Sequence, residues 1–425
     1  PHDWDLCTSA RPEQVMALFG EEKCIPTGLQ HGTVTVKQGG RLYETTTFRT
    51  EGAYSDGRHP DAVCFVPEVR EDLARRDFTI NAMAYSAEEG LIDPFGGRDD
   101  LAAHRVRAVG EPERRFEEDA LRILRLYRFA ARFGFAIDPA TGVAARALGP
   151  HLDCVSAERI QEELLKLLAA PRPGSYLEPA VLAVILPELE PEKQPERFAE
   201  LCRTIDRIEP TVENVPARLA ALLCPLGEAG ARKALRKLKC SNALTDEVTA
   251  LEREAGGGAG SFLLGHESGH SIARPIACGN RVPPQRTVFG ETPDTPVQTP
   301  CVTPVSEEEA PGTPGSDQTL MAKRLLGRYE LPTIQRLTAL CSARHPEQTG
   351  AFAALRAEAE RLTAENACCR VSQLAVNGRD LMAAGVRPGP GLRQVLNALL
   401  EAVITGQTPN EKDALLAAAA QFSAS

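Results

Sequence analysis

The sequence predicts an α+β protein in which a small mixed β-sheet head precedes an elongated, all-helical neck, body and tail. Short β-rich runs are confined to the N-terminal quarter, and after Glu111 nearly every segment places apolar residues three and four apart, the helical spacing. Length and composition agree: 425 residues with 43% hydrophobic and 25% charged suit a globular chain of roughly three compact units. Aromatics are only 5%, so the core must rest on Leu, Ala and Val.

In chain order, Thr33–Lys37 and Leu42–Phe48 alternate around Gly39-Gly40 and read as a hairpin. Helices are expected over Glu117–Phe133, Ala157–Leu168, Ala217–Leu223, Ala231–Leu238 and Ala351–Ala364. These elements divide the chain into a head (1–108), a neck (109–170), a body (171–255) and a body-and-tail segment (317–425). Between them, residues 256–316 form a Gly/Thr/Pro-rich insertion expected to be disordered. Eight prolines fall among residues 283–314, each fixing φ and removing a backbone donor.

Several function classes are excluded or disfavoured. No apolar run approaches the ~18 residues needed to cross a bilayer, and Pro1–Asp5 lacks the basic and apolar regions of a signal peptide, so a cytoplasmic protein with no membrane partner is expected. Twelve scattered cysteines contain no CxxC pair and read as reduced thiols. A net charge of −10 argues against a nonspecific polyanion binder unless positive charge is gathered locally. Such a gathering exists on the helix expected near 231–238, where Arg232, Lys233, Arg236, Lys237 and Lys239 occur without an acid between residues 229 and 245. That stripe could follow the phosphates of an RNA stem.

Chemistry-bearing residues concentrate in the head and neck. Asp3 and Asp5 flank Trp4, so strand alternation points both carboxylates to one face, where they could hold Mg²⁺. Glu44 lies mid-strand and could add a third carboxylate. Leu73–Ala82 clusters Arg75, Arg76, Asp77 and Asn81, the mixture a nucleotide's phosphates and ribose hydroxyls require, and Asp93–Asp99 makes an acidic glycine turn. In Glu118–Phe129, Asp119, Arg122, Arg125 and Arg128 repeat every three residues, so one helical face would carry a carboxylate followed by three guanidiniums able to read base edges and phosphates. Leu121, Leu124 and Phe129 take the other faces, which sets these arginines apart from core filler.

Taken in order, Asp3-x-Asp5-x-x-Thr8, Glu44–Tyr54, Arg75-Arg76-Asp77-Phe78-Thr79-x-Asn81-Ala82, Asp93-Pro94-x-Gly96-Gly97 and Glu118-Asp119-x-x-Arg122-x-x-Arg125-x-x-Arg128-Phe129 resemble the motifs of class II tRNA nucleotidyltransferases, the CCA-adding enzymes of the DNA polymerase β superfamily. Leu374–Met382, Arg387–Pro390 and Asn410–Lys412 resemble the tail of the bacterial members. The resemblance covers most of the chain outside the insertion. It implies that Asp3 and Asp5 bind the metal, that Arg76 contacts the nucleotide and that Asp77 and Asn81 lie near the ribose. Asp119 and Arg122 would act as an amino-acid template for C or A, with Arg125 and Arg128 supporting the nucleotide. The implied reaction is Mg²⁺-dependent in-line attack of the tRNA 3′-hydroxyl on the α-phosphate of CTP or ATP, releasing pyrophosphate.

Two departures stand out. The Gly-Gly-x-x-Arg-Asp phosphate loop of the family should lie just upstream of Pro1, which suggests that the chain is a fragment of a longer reading frame; an inactive RNA-binding relic is the alternative. The insertion also contains His266-Glu267-Ser268-Gly269-His270, an HExxH match whose zinc-binding helix is poorly supported beside Gly269 and Pro275. Thr50–Asp72 resembles the flexible loop needed for the switch to ATP, and the C-terminus lacks a strongly basic extension. CCA addition is therefore expected over the alternatives, an A-adding enzyme or a poly(A) polymerase.

Overall fold

The computed structural model describes residues 5–52, 63–256 and 314–422. Asp3, Tyr54 and residues 257–313 of the expected insertion, with the HExxH match, lie outside them, whereas Gly256 and residues 314–316, expected to be part of that insertion, are helical. The head is built on a four-stranded sheet of order β1-β4-β3-β2, with β1 Asp5–Thr8, β2 Cys24–Gly28, β3 Thr33–Gln38 and β4 Arg41–Thr47. The expected hairpin is β3–β4, and both turn glycines have positive φ (57° and 76°), as a two-residue primed turn requires. Alternation points Val34 and Val36 to one face, where helix α1 (Pro12–Phe19) covers them with Val15; the opposite face is left polar.

Three short strand pairs complete the head. β5 (Arg49–Glu51) pairs with β6 (Val63–Phe65) and β7 (Ala84–Ser86) with β8 (Gly90–Ile92), both antiparallel. β9 (Arg105–Val106) pairs in parallel with β10 (Ala136–Ile137), pinning the end of the neck helix to the end of the head. Head helices α2 (Val69–Ala74) and α3 (Gly97–Ala102) lead into neck helices α4 (Pro112–Glu118), α5 (Leu121–Phe133), α6 (Pro139–Ala147) and α7 (Ala157–Leu168). The body continues with α8 (Pro179–Ile185), α9 (Pro195–Arg207), α10 (Val215–Leu223), α11 (Gly227–Lys237) and α12 (Asn242–Gly256), then α13 (Pro314–Arg328), α14 (Leu331–Arg344) and α15 (Thr349–Ala364). α16 (Gly378–Ala383), α17 (Pro390–Ile404) and α18 (Lys412–Phe422) form the tail. None of the described helices is long and apolar enough to cross a membrane.

One expected helix is broken. Over Glu117–Phe133 the chain leaves the helix at Asp119 (φ −148°, ψ 102°) and re-enters at Leu121. The Asp119 carboxylate explains the break: Oδ1 accepts from Leu121 N at 3.1 Å, and Oδ2 from Arg159 of α7 at 2.8 Å. A short polar side chain that bonds its own backbone two residues on favours such a turn. Asp119 therefore stands at the mouth of α5, off the helical face on which the spacing placed it.

A continuous apolar core runs from Phe78 in the head through the neck and body to Cys369, whereas the tail has its own core around Leu381, Leu399 and Leu415. Among the buried ionisable residues of the body are Arg218 and Glu252. Arg218 of α10 is fully buried, and its guanidinium donates to the carbonyls of Leu168, Ala170, Pro171 and Ile208 at the ends of α7 and α9. Glu252 of α12 is 6% exposed; burial pushes its carboxyl up to about 7 against the opposing pull of Arg344 and a hydrogen bond to Cys224.

Arg218→Met should destabilise the protein by about 3 kcal/mol or more in urea titration, because several buried carbonyls lose their only charged donor. Glu252 gives a pH signature. The native state keeps its proton up to about 7 while the unfolded chain releases it near 4.5, so unfolding free energy should fall as pH rises through that window and level off above it. Glu252→Gln should flatten this slope in melts between pH 5 and pH 8.

Candidate active site

The polar face of the head sheet carries the first part of the site. β1 and β4 run parallel with Asp5 opposite Glu44, so two exposed carboxylates that lie 39 residues apart in sequence become cross-strand neighbours. Cys7 follows on the same face, and its thiol is pushed up by burial and then by Asp72, with Arg76 pulling the other way. The Asp72 carboxylate of α2 accepts from the Arg49 amide just past β4, which places the end of α2 beside the end of this sheet. Buried Asp72 orients the tandem arginines there: its carboxylate takes Arg75 at 2.8 Å, Arg76 at 3.5 Å and the Arg49 amide at 3.2 Å.

Just beyond, Asp77 ties the head to the neck. One oxygen accepts from Phe78 N (2.9 Å) and from Asn81 Nδ2 (3.2 Å); the other pairs with Arg125 of α5 at 2.7 Å. With 8% exposure and both oxygens engaged, Asp77 is a brace more than a free ribose ligand. The Asp77 charge holds the Arg125 guanidinium above its ordinary pKa although burial opposes it. The neighbouring turn is fixed sterically, because the Asp93 carboxylate caps Gly97 N and Arg98 N, and a Cβ at residue 97 would lie 2.2 Å from the Thr79 carbonyl oxygen.

The arginine ladder of α5 turns inward. Arg122 and Arg128 are both buried, contrary to the exposed face that the three-residue spacing suggested. Arg122 donates through Nη1 to Glu118 (2.9 Å) and to the Arg115 carbonyl (3.2 Å), and through Nη2 to the Arg75 carbonyl (3.1 Å). Arg128 Nε lies 2.9 Å from Glu163 of α7, a charge contact outside hydrogen-bond angles, and its guanidinium covers the Phe129 ring at 4.2 Å. Burial lowers the Arg128 pKa despite Glu163. Of the body stripe, Lys233, Arg236, Lys237 and Lys239 are exposed, but Arg232 is taken up by Asp246 (2.9 Å) and Thr249 (2.8 Å) of α12.

Three family descriptions match this chain: Poly A polymerase head domain over residues 1–107, probable RNA and SrmB-binding site of polymerase A over 134–193, and putative tRNA nucleotidyltransferase domain 2 over 331–419. The CCA-adding enzyme of Leuconostoc citreum is 44% identical over 229 residues, a match spanning 53% of this chain and 56% of that protein. The Geobacillus stearothermophilus CCA-adding enzyme is 33% identical over 419 residues, covering 98% of this chain and 87% of the relative. The chain belongs to the class II CCA-adding enzymes.

The crystal structure of the Bacillus stearothermophilus CCA-adding enzyme in complex with CTP superposes with a TM-score of 0.70 at 31% identity, covering 99% of this chain and 88% of that one. The Thermotoga maritima CCA-adding enzyme complexed with tRNA shares the fold, with a TM-score of 0.57 at 20% identity. CCA-adding enzymes are nucleotidyltransferases and generally metal-dependent. Asp5 and Glu44 supply hard oxygen donors suited to such an ion, and among the described residues no group of three or more His, Cys, Asp or Glu forms a closed cage. An open carboxylate pair suits a cation that keeps positions for water and substrate oxygens.

Four residues that sequence reasoning passed over hold this site of the CCA-adding fold together. Asp72 lies three and four residues before Arg75 and Arg76, a spacing legible in the sequence. Glu118 was quoted only as part of a motif and proves to be the carboxylate partner of Arg122. Arg159 and Glu163, one turn apart on α7, hold Asp119 and Arg128; a buried Glu inside an otherwise apolar helical face was their only trace.

The Asp77–Arg125 bridge is testable by a double-mutant cycle. Asp77→Asn and Arg125→Met should each destabilise, with a coupling of about 1–3 kcal/mol measured by denaturant unfolding; additive effects would mean that the pair does not join head and neck.

Proposed function

We propose that the chain adds CCA to the 3′ end of tRNA from CTP and ATP, without a nucleic-acid template, by Mg²⁺-dependent nucleotidyl transfer that releases pyrophosphate in the cytoplasm. The observation that carries this reading is the Asp5–Glu44 carboxylate pair on the head sheet, with Asp72 and its Arg75 and Arg76 partners at the end of that sheet and the Asp77–Arg125 bridge leading to the helix mouth that bears Asp119 and Arg122.

Asp5 and Glu44, with Asp3, would hold the ion, which supplies charge neutralisation to the attacking and leaving oxygens. Arg76, half-exposed beside this face, is placed to receive phosphate oxygens, and Asn81 lies one hydrogen bond from Asp77 on the ribose side. Arg125 and Arg128 support α5 and the nucleotide through Asp77 and Glu163.

Base selection follows from what remains unspent on Asp119 and Arg122. A carboxylate offers about four lone-pair sites and a guanidinium five N–H donors. Leu121 N and Arg159 occupy two acceptor sites of Asp119, while Arg122 retains its Nε–H and one Nη2–H. Acceptor beside donor complements the Watson–Crick edge shared by C and A, an exocyclic amine next to an unprotonated ring nitrogen. G and U present a carbonyl next to a ring N–H and are refused. Exposed Lys233, Arg236, Lys237 and Lys239 on the body would follow phosphates of the acceptor stem.

The test is incubation with Mg²⁺, CTP, ATP and a tRNA ending at the discriminator base, reading added nucleotides on a sequencing gel. Three additions ending in A are expected, and Asp5→Asn should slow them at least about a thousandfold, equivalent to several kcal/mol of lost transition-state stabilisation. Addition of a single A confined to tRNA already ending in CC would identify an A-adding enzyme, and no addition would favour the inactive relic.

A further inference from the structure

The tail has a core of its own, so its orientation depends on the polar contacts at its junction with the body. These contacts converge on α13 and on Arg370, which lies between α15 and α16. Arg370 donates through Nε to the Leu326 carbonyl (3.0 Å) and through Nη2 to the Tyr329 carbonyl (3.0 Å), and Nη1 pairs with Glu330 at 2.7 Å. It thus caps the C-terminal end of a body helix from the chain segment that enters the tail, where the last carbonyls lack helical partners.

The segment is locked on its other side as well. Gln373 Oε1 accepts from Cys369 N and Arg370 N, both at 2.9 Å. Asn410, just before α18, donates to the Gln373 carbonyl (3.0 Å) and accepts from Ala375 N (2.9 Å). α13 grips the tail a second time: Lys323 donates to the Ile404 carbonyl at the end of α17 (3.2 Å), and Arg324 pairs with Glu401 at 2.6 Å. The approach is close, since a Cβ at Gly327 would lie 2.9 Å from the Cys369 carbonyl oxygen.

What the tail presents gives this junction a purpose. Arg379, Arg387 and Arg393 are exposed and have no side-chain partner among the described residues. A Cβ at Gly378 would meet Leu392 at 3.2 Å, so the starts of α16 and α17, which carry Arg379 and Arg393, pack closely together. Unpaired guanidiniums in a net-acidic chain suit RNA phosphates.

We propose that Arg370 is a positioning residue that clamps the tail to the body through helix-end carbonyls, holding the tail arginines at a fixed reach from the active site so that a long folded RNA is gripped at two points. This rests on the proposed tRNA-directed function. Because Arg370 contacts neither nucleotide nor metal ligands, its loss should alter how the RNA is held and leave the chemistry intact.

The test compares a tRNA lacking CCA with an acceptor-stem minihelix bearing the same 3′ end. Arg370→Met should lower kcat/KM for the tRNA roughly tenfold, through KM with kcat unchanged, and leave minihelix extension within about twofold of wild type. Arg370→Lys, which keeps the charge but loses the two-carbonyl fork, should fall between the two. An equal loss on both RNAs, or no loss on either, would overturn the proposal. Small-angle scattering of the RNA-free proteins provides a readout independent of activity. Arg370→Met should broaden the distance distribution with head and neck melting unchanged, and identical scattering would also overturn it. If wild type extends neither RNA, the functional reading fails while scattering still decides the clamp.

Discussion

The ion pair between Asp77 and Arg125 is the constraint on which the rest of the site depends. The head contributes a polar sheet face and the neck a helix mouth, and neither can act on a shared substrate unless their separation is fixed. Asp77 does this with one carboxylate, holding its own loop through Phe78 N and Asn81 and the neck helix through Arg125. Because Asp77 is buried and Arg125 largely so, removing either leaves the other desolvated without compensation, a heavier cost than loss of a surface pair. Everything between them inherits that rigidity, including Arg122, whose guanidinium reaches the Arg75 carbonyl across the same boundary.

Much of this was legible in the sequence, for physical reasons that differ by element. The β3–β4 hairpin followed from alternating Val34 and Val36 and two glycines able to take positive φ, all local properties. Helix α7 was readable to its end residues because its apolar stripe is regular. The break at Asp119 was not, since the partner that fixes its carboxylate, Arg159, is forty residues away. The inward turn of Arg122 and Arg128 was hidden for the same reason. Periodicity scores an arginine as solvent-facing, but carbonyls of Arg115 and Arg75 and the carboxylate of Glu163 make burial tolerable. Cross-strand placement of Glu44 beside Asp5 needed the β1–β4 register, which follows only once the sheet order is known. Arg232 looked free because Asp246 lies just past the acid-free run.

A common device recurs at the joints. Arg122, Arg218 and Arg370 each donate to two or more main-chain carbonyls, and at Arg218 and Arg370 those carbonyls belong to helix ends. Helix C-termini expose carbonyls that apolar packing cannot satisfy, and with aromatics at 5% the core is built mainly of aliphatic side chains that interlock without direction. A planar guanidinium supplies several donors at fixed angles and stays charged when buried, so it sets relative orientation where leucines set only distance. Lysine offers its three donors from a single nitrogen, without a planar fork of fixed angles, and loses its proton more readily when buried.

The same arithmetic reconciles an acidic chain with a polyanionic substrate. Arginines at the site are neutralised within the protein by Asp72, Asp77, Glu118 and Glu163, so they add little long-range attraction. Among the described residues, exposed positive charge without a carboxylate partner includes Lys233, Arg236, Lys237 and Lys239 of the body and Arg379, Arg387 and Arg393 of the tail. Attraction to phosphate is thereby separated from recognition of the base. Basic patches gather RNA in a salt-sensitive way, while the internally paired arginines present only the few donors their partners leave free. Such a division lets the recognition pair discriminate by hydrogen-bond pattern, since a template that also bore much unpaired positive charge would attract every nucleotide triphosphate alike.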